Sequence, residues 1–172
     1  LQSGATNGQV LTYNSTNGNI TLADASGGGG GASAINDLSD AVTYDSGTGI
    51  GLGTGALAND DGSDNKNTAV GYNALNAVTS GSLSVAVGYE ALKSVTTGHS
   101  NVALGYQAMY NTGTGASESI AIGRAAQRKS TATGNISMGY WAHYDLTSGS
   151  SNIAIGNQAG ANQTTGNDNV VL

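Results

Sequence analysis

From residue 50 onward the hydrophobic positions fall into short triplets, in which bulky aliphatic residues alternate with small ones and a glycine follows. Gly51-Leu52-Gly53, Ala69-Val70-Gly71, Ala86-Val87-Gly88, Ala103-Leu104-Gly105, Ala121-Ile122-Gly123, Ser137-Met138-Gly139 and Ala154-Ile155-Gly156 align on their last glycine, and those glycines stand 18, 17, 17, 18, 16 and 17 residues apart. Three positions before the glycine every residue is β-branched: Ile50, Thr68, Val85, Val102, Ile120, Ile136 and Ile153. Three positions after it stands alanine each time: Ala56, Ala74, Ala91, Ala108, Ala126, Ala142 and Ala159. Seven such copies in one chain define a structural repeat.

Alternation at period two with β-branched residues predicts a short strand with one bulky and one small face. A repeat of 16–18 residues holds one coil of a solenoid, two short strands plus turns, each strand pairing with the next coil at ~4.8 Å. The predicted fold is therefore all-β, a parallel β-solenoid of about seven coils. A helical alternative for Glu90-Ala91-Leu92-Lys93-Ser94-Val95 is confined to one or two turns by the recurrent glycines. Ser80-Gly81, Thr97-Gly98, Thr114-Gly115, Thr133-Gly134, Ser148-Gly149 and Thr165-Gly166 predict corners in which glycine supplies a positive φ.

Each coil encloses few bulky residues, for example Val85, Val87, Leu92 and Val95. So thin a core gains little against ~1–2 kcal/mol of backbone ordering entropy per residue. The Ala/Gly face also needs cover. Both needs predict a homo-oligomer in which small faces of sister copies seal one another.

Residues 1–26 lie outside the repeat and read as two short strands, Gly8–Tyr13 and Gly18–Leu22, joined by a turn-rich stretch. Residues 27–48 begin with five glycines, a linker, and continue through Ile35–Ala41, a candidate helical turn leading into the repeat domain 49–172. Asn169-Val170-Val171-Leu172 restarts the strand motif one residue short of the next glycine, and the chain begins at Leu1 rather than Met. A segment of a longer polypeptide is expected.

Composition narrows the chemistry. The 172 residues include 28 Gly, no Pro, no Cys and only 9% charged residues, with a net charge of −6. No cysteine means no disulfide framework or zinc–cysteine site. An acidic, cation-poor chain does not suit nucleic acid, whose binding depends on neutralising phosphates. No stretch of 18 apolar residues predicts a membrane-spanning helix.

Val85-Ala86-Val87-Gly88, Asn101-Val102-Ala103-Leu104-Gly105, Ser119-Ile120-Ala121-Ile122-Gly123 and Asn152-Ile153-Ala154-Ile155-Gly156 resemble the Asn-Ser-Val-Ala-Ile-Gly head repeats of trimeric autotransporter adhesins, and similar repeats of bacteriophage tail fibres and spikes. The resemblance covers residues 49–172. It implies a left-handed parallel β-roll in which three chains form one trimeric shaft. The coils are longer than those common in adhesin heads. Gly4–Leu11 and Ala34–Asp40 look more like phage fibre proteins, many of which carry a C-terminal self-cleaving chaperone domain. The implied function is non-enzymatic attachment to a host-surface glycan or protein receptor, on a virion alongside other tail proteins. The alternative is an adhesin head on the bacterial outer surface.

Candidate contacts follow from exposed chemistry. Tyr72, Tyr89, Tyr106 and Tyr140 follow the glycine in four coils, with Trp141 beside the last. Such a column either packs ring on ring or stacks on sugars. Arg124, Arg128 and Lys129 place three of the five cations in one coil, where they form a solvated loop or dock an acidic polysaccharide or phosphate. Asn59–Asn65 is rich in oxygen ligands but lacks EF-hand spacing, and reads as a surface turn rather than a calcium site. His99 and His143 lie in different coils without catalytic partners, and no phosphate-binding loop or serine nucleophile elbow is legible, so neither cofactor nor enzymatic activity is expected.

Overall fold

The computed structural model describes residues 9–13, 20–24, 41–43, 49–63 and 65–172. The chain divides into two compact units, Leu1–Ser39 and Asp40–Leu172. In the first, β1 (Gln9–Tyr13) and β2 (Ile20–Asp24) form an antiparallel pair. The five-glycine linker and residues 35–40 of the candidate helical turn lie outside the described residues, but Ala41 itself opens strand β3 (Ala41–Thr43).

The second unit carries one sheet of nine strands in chain order. β3 pairs antiparallel with β4 (Ile50–Leu52). From β4 every pairing is parallel: β5 (Thr68–Val70), β6 (Val85–Val87), β7 (Val102–Leu104), β8 (Ile120–Ile122), β9 (Ile136–Met138), β10 (Ile153–Ile155) and β11 (Val170–Val171). Equivalent residues face each other without slippage, as in Ala86↔Ala103 and Ala103↔Ala121. This is a parallel β-solenoid of about seven coils, with Gly53, Gly71, Gly88, Gly105, Gly123, Gly139 and Gly156 in one column.

Each coil holds one three-residue strand, not two. The Ala-Leu half is a hydrogen-bonded turn that still ladders between coils: Leu75 N–H donates to Ala91 C=O at 3.0 Å and Leu92 N–H to Ala108 C=O at 3.0 Å. The backbone there alternates through the left-handed region, with φ of 55° at Glu90 and 52° at Leu92, and 54° and 50° at Gln107 and Met109. Non-glycine residues adopt this conformation at a cost, and the inter-coil ladder holds them in it.

The strand faces are the reverse of the sequence expectation. The middle residue of each strand, Ala69, Ala86, Ala103, Ala121, Ser137 or Ala154, points inward and is wholly buried. The bulky flanks point outward: Val85 is half-buried, and Val87, Met138 and Ile155 are exposed. Sister copies therefore do not seal the small face; the coil closes over it. Ala56, Ala74, Ala91, Ala108, Ala126, Ala142 and Ala159 line the same interior, with Leu57, Leu75, Leu92 and Met109 after them and Val78, Val95 and Leu146 closing the coil. The physical reason is room. A coil this narrow accommodates one or two medium side chains opposite an alanine, and four outward-sized ones would overfill it.

Two ladders run along the interior. The repeat glycines have φ between 115° and 136°, and a Cβ on Gly88 would lie 2.5 Å from the carbonyl oxygen of Gly105. Four positions before each repeat glycine from Gly71 onward runs a polar column: Asn67, Ser84, Asn101, Ser119, Asn135 and Asn152, all buried. Asn101 donates through Nδ2 to Ala116 C=O at 2.7 Å and accepts the Ser119 N–H on Oδ1 at 3.1 Å. Asn67, Asn135 and Asn152 repeat the arrangement, so each satisfies a corner carbonyl and the next coil's amide. The corner glycines split. Gly134 and Gly166 have positive φ, whereas Gly81, Gly98, Gly115 and Gly149 do not; at Gly81 the requirement is space, since a Cβ would lie 2.6 Å from Gly98 C=O.

Candidate functional site

One residue beyond the repeat glycine, side chains of successive coils stack along the outer surface. Tyr72 and Tyr89 have ring centroids 5.2 Å apart at 17°, and Tyr89 and Tyr106 are 5.2 Å apart at 8°. The parallel in-register backbone imposes this, since equivalent Cα atoms repeat at about one strand spacing. Arg124 takes the tyrosine's place in the next coil, its guanidinium 5.5 Å from the Tyr106 ring and 5.7 Å from Tyr140. The column Tyr72–Tyr89–Tyr106–Arg124–Tyr140 is thus continuous. All four rings are 39–48% exposed, so each packs on its neighbours and keeps an edge in solvent. Packing and surface presentation coexist.

A second column stands five residues beyond the glycine: Lys93, Tyr110, Arg128 and Tyr144. Arg128 lies 4.9 Å from the Tyr110 ring and 5.7 Å from Tyr144. Cations and rings alternate, each cation partnered by π faces. Trp141 stacks on Tyr140 at 5.0 Å and lies 4.8 Å from Tyr144, bridging the two columns.

The carboxylates nearby are already paired. Lys93 Nζ is 2.6 Å from Glu90 Oε1, and Gln107 Nε2 donates to Glu90 Oε2 at 2.8 Å. Burial pushes the Glu90 carboxyl up, but those two hydrogen bonds, with the charges of Lys93 and Arg128, outweigh it and hold the group below the usual carboxylate range. Lys129 Nζ is 2.6 Å from Asp145 Oδ1, which separates it from the other two cations of its coil. Arg124 has no ion-pair partner among the described residues, and Arg128 donates hydrogen bonds to Gln107 Oε1 and the Tyr144 hydroxyl, each at 3.4 Å, with Glu90 near enough to feel its charge.

Between the columns lies a recess of about 140 Å3, lined by Tyr106, Gln107, Arg124, Ala125, Arg128, Trp141 and Tyr144. Sequence reading named four of these seven, Tyr106, Arg124, Arg128 and Trp141, but not Gln107, Ala125 or Tyr144, which come together only when the coils are stacked.

The other candidates fall elsewhere. Asp61 Oδ1 accepts the Ser63 hydroxyl at 2.6 Å and the Ser63 N–H at 3.0 Å, which hold its carboxyl below the usual range. Asn65 Nδ2 donates to Asp60 and Asp61, so the Asn59–Asn65 loop is internally bonded. His143 is wholly buried, with Nδ1 2.9 Å from Ser137 Oγ, and that hydroxyl is also 3.3 Å from Gln127 Oε1. Ser137 and His143 have the spacing of a nucleophile and base, but both are sealed inside the coil where no substrate reaches. Comparison with protein-family models, with curated proteins and with solved structures gave no match.

Proposed function

We propose that the chain is a non-enzymatic fibre segment, a left-handed β-roll assembled as a homotrimer, that attaches a virion to a host-surface glycan as part of a tail fibre or spike. The observation that carries this reading is the exposed Tyr72–Tyr89–Tyr106–Arg124–Tyr140 column on a hydrogen-bonded rigid scaffold. Rings and guanidinium planes held at a fixed spacing suit a chain-like carbohydrate, because sugar C–H faces stack on aromatics and hydroxyls bond to guanidinium.

Self-association draws support from the outward aliphatic column. Val87, Met138 and Ile155 are each more than a third exposed, on a strip that repeats with every coil. Contiguous apolar surface marks an interaction face, and an occupant with the same coil spacing is another copy of this chain. The corrected polarity moves the contact from the alanine face to the β-branched one.

The test is adsorption together with mass. Sedimentation of the purified chain is expected to give three copies, and the protein is expected to block fibre attachment to host cells. Replacing Tyr89 and Tyr106 by Ala is expected to abolish that block while circular dichroism and mass stay unchanged. Undiminished blocking by the double variant would refute the attachment reading, and a single-copy mass would refute the trimer.

A further inference from the structure

The recess beside Arg124 has a specific origin. Two residues beyond the repeat glycine, the column reads Glu90, Gln107, Ala125, Trp141 in successive coils. Three of these are large. Ala125 is small, and its single methyl leaves room for the recess that Gln107 of the preceding coil and Trp141 of the following one also line. Backbone geometry does not require the alanine: φ is 55° at Glu90, 54° at Gln107, 55° at Ala125 and 57° at Trp141. The same conformation carries a large side chain in the coils on either side, so the gap is a property of this one residue.

The gap is walled by chemistry of one kind. Arg124 and Arg128 flank it and neither forms a direct ion pair among the described residues; Glu90 and Asp145 are each bonded to lysine, and Glu90 feels Arg128 only at a distance. In a chain of net charge −6, the cations Lys93, Arg124, Arg128 and Lys129 outnumber the carboxylates Glu90 and Asp145 around this recess, a local inversion of the protein's charge. Trp141 supplies a flat apolar wall. We infer that this recess is a binding site for a single carboxylate-bearing sugar ring, a uronic or sialic acid residue of a larger glycan. The carboxylate lies between Arg124 and Arg128, whose planar forks match its two oxygens, and the ring's C–H face lies against Trp141. At about 140 Å3 the recess falls well below the ~300–1,000 Å3 of a drug-sized ligand pocket, which limits it to one residue rather than an oligosaccharide. A bare inorganic anion would use the arginines but not the aromatic wall. This inference rests on the glycan-attachment reading and assigns it a charge class and a place.

Trp141 is the chain's one tryptophan and lines the recess, so its fluorescence reports binding directly. Titrating the full chain with methyl glucuronide and with N-acetylneuraminic acid is expected to give a saturable millimolar change with at least one of them, and none with methyl glucoside. Ala125→Gln fills the gap with the side chain that Gln107 already carries at the same register, and is expected to weaken binding at least tenfold with unchanged circular dichroism. Arg128→Gln is expected to do the same, and sodium sulfate to compete only weakly. Equal response to the neutral sugar, equal binding by Ala125→Gln, tighter binding of sulfate than of either sugar acid, or a flat titration with both acids would each overturn the proposal. These outcomes are separate from the attachment reading: host-cell blocking lost in the Tyr89/Tyr106 variant but retained by Ala125→Gln keeps attachment and removes this site.

Discussion

Gly88 and Gly105 sit one coil apart with backbones in such contact that a Cβ on the first would come within 2.5 Å of the carbonyl oxygen of the second. The obstacle is backbone, which cannot rotate away as a side chain can, and the φ of 135° at Gly88 is itself a region closed to other residues. Gly88→Ala and Gly105→Ala are each expected to lower stability by at least ~3 kcal/mol, read as the urea or thermal midpoint. Gly115→Ala is the control. No atom stands within 4 Å of the added methyl and φ is not positive there, so a change between zero and a gain of ~1 kcal/mol is expected. Equal loss at Gly105 and Gly115 would contradict the stacked-glycine account.

The buried asparagine column is expected to be the most sensitive polar feature. Asn101→Ala leaves the Ala116 carbonyl and the Ser119 amide without partners in a dry interior, a loss of ~2–6 kcal/mol at ~1–3 kcal/mol per orphaned group. Asn101→Ser is expected to lose roughly half as much. Serine already fills this column at Ser84, whose hydroxyl accepts the next coil's amide at 3.2 Å. Denaturant midpoints of the two variants check the ordering.

The fold was legible because its period was. Glycines recurring every 16–18 residues with alanine three behind placed the strands, their parallel order and the coil count. The inside and outside of the strand were not legible. Period-two alternation separates two faces without saying which is buried, and the usual rule that bulk points inward fails in a coil too narrow for it. Burial of Ala103 with Val87 in solvent follows from the cross-section, a quantity no linear pattern carries. The asparagine column was available in the same alignment, at Asn67, Asn101, Asn135 and Asn152, but only Asn101 and Asn152 were read, as part of a resemblance rather than as hydrogen bonding. The aromatic column and the arginines were visible, yet the recess needed three coils in register around a single alanine. Cα spacing creates it, and sequence distance does not.

If the outward aliphatic strip joins copies, charge on it should separate them without unfolding the coil. Val87→Lys combined with Met138→Lys adds cations at two side chains that are 38% and 37% exposed and line no interior. Sedimentation is expected to fall to one copy, with β-type circular dichroism retained. Leu92→Ala is the opposite case: a wholly buried leucine, so ~2–5 kcal/mol of stability is lost to transfer and cavity terms. A double-lysine variant that keeps its mass would exclude this face as the contact.

His143 gives the coil a pH dependence whose sign is fixed by burial. It stands where Leu57, Leu75, Leu92 and Met109 stand in earlier coils, surrounded by the uncharged Ser137, Gln127 and Gln163, and the apolar core is interrupted at its level. Burial lowers the imidazole pKa, and a weaker opposing influence from Gln163 does not reverse this. The folded chain therefore prefers the neutral ring. Above the unfolded value of about 6.5 both states are neutral and the contribution is complete; as pH falls below it the unfolded chain takes up a proton that the fold refuses, and stability declines until the folded group also titrates. The slope from this one group cannot exceed about 1.4 kcal/mol per pH unit. His143→Leu restores the residue type of the earlier coils, and Ser137 keeps Gln127 as a partner at 3.3 Å. Because every other ionisable group is common to both proteins, the quantity to follow is the difference in urea midpoint between wild type and variant. That difference is expected to be constant from pH 8 to 7 and to widen in favour of the leucine variant toward pH 5. Parallel curves throughout would mean that the buried imidazole is protonated as easily inside the coil as in water.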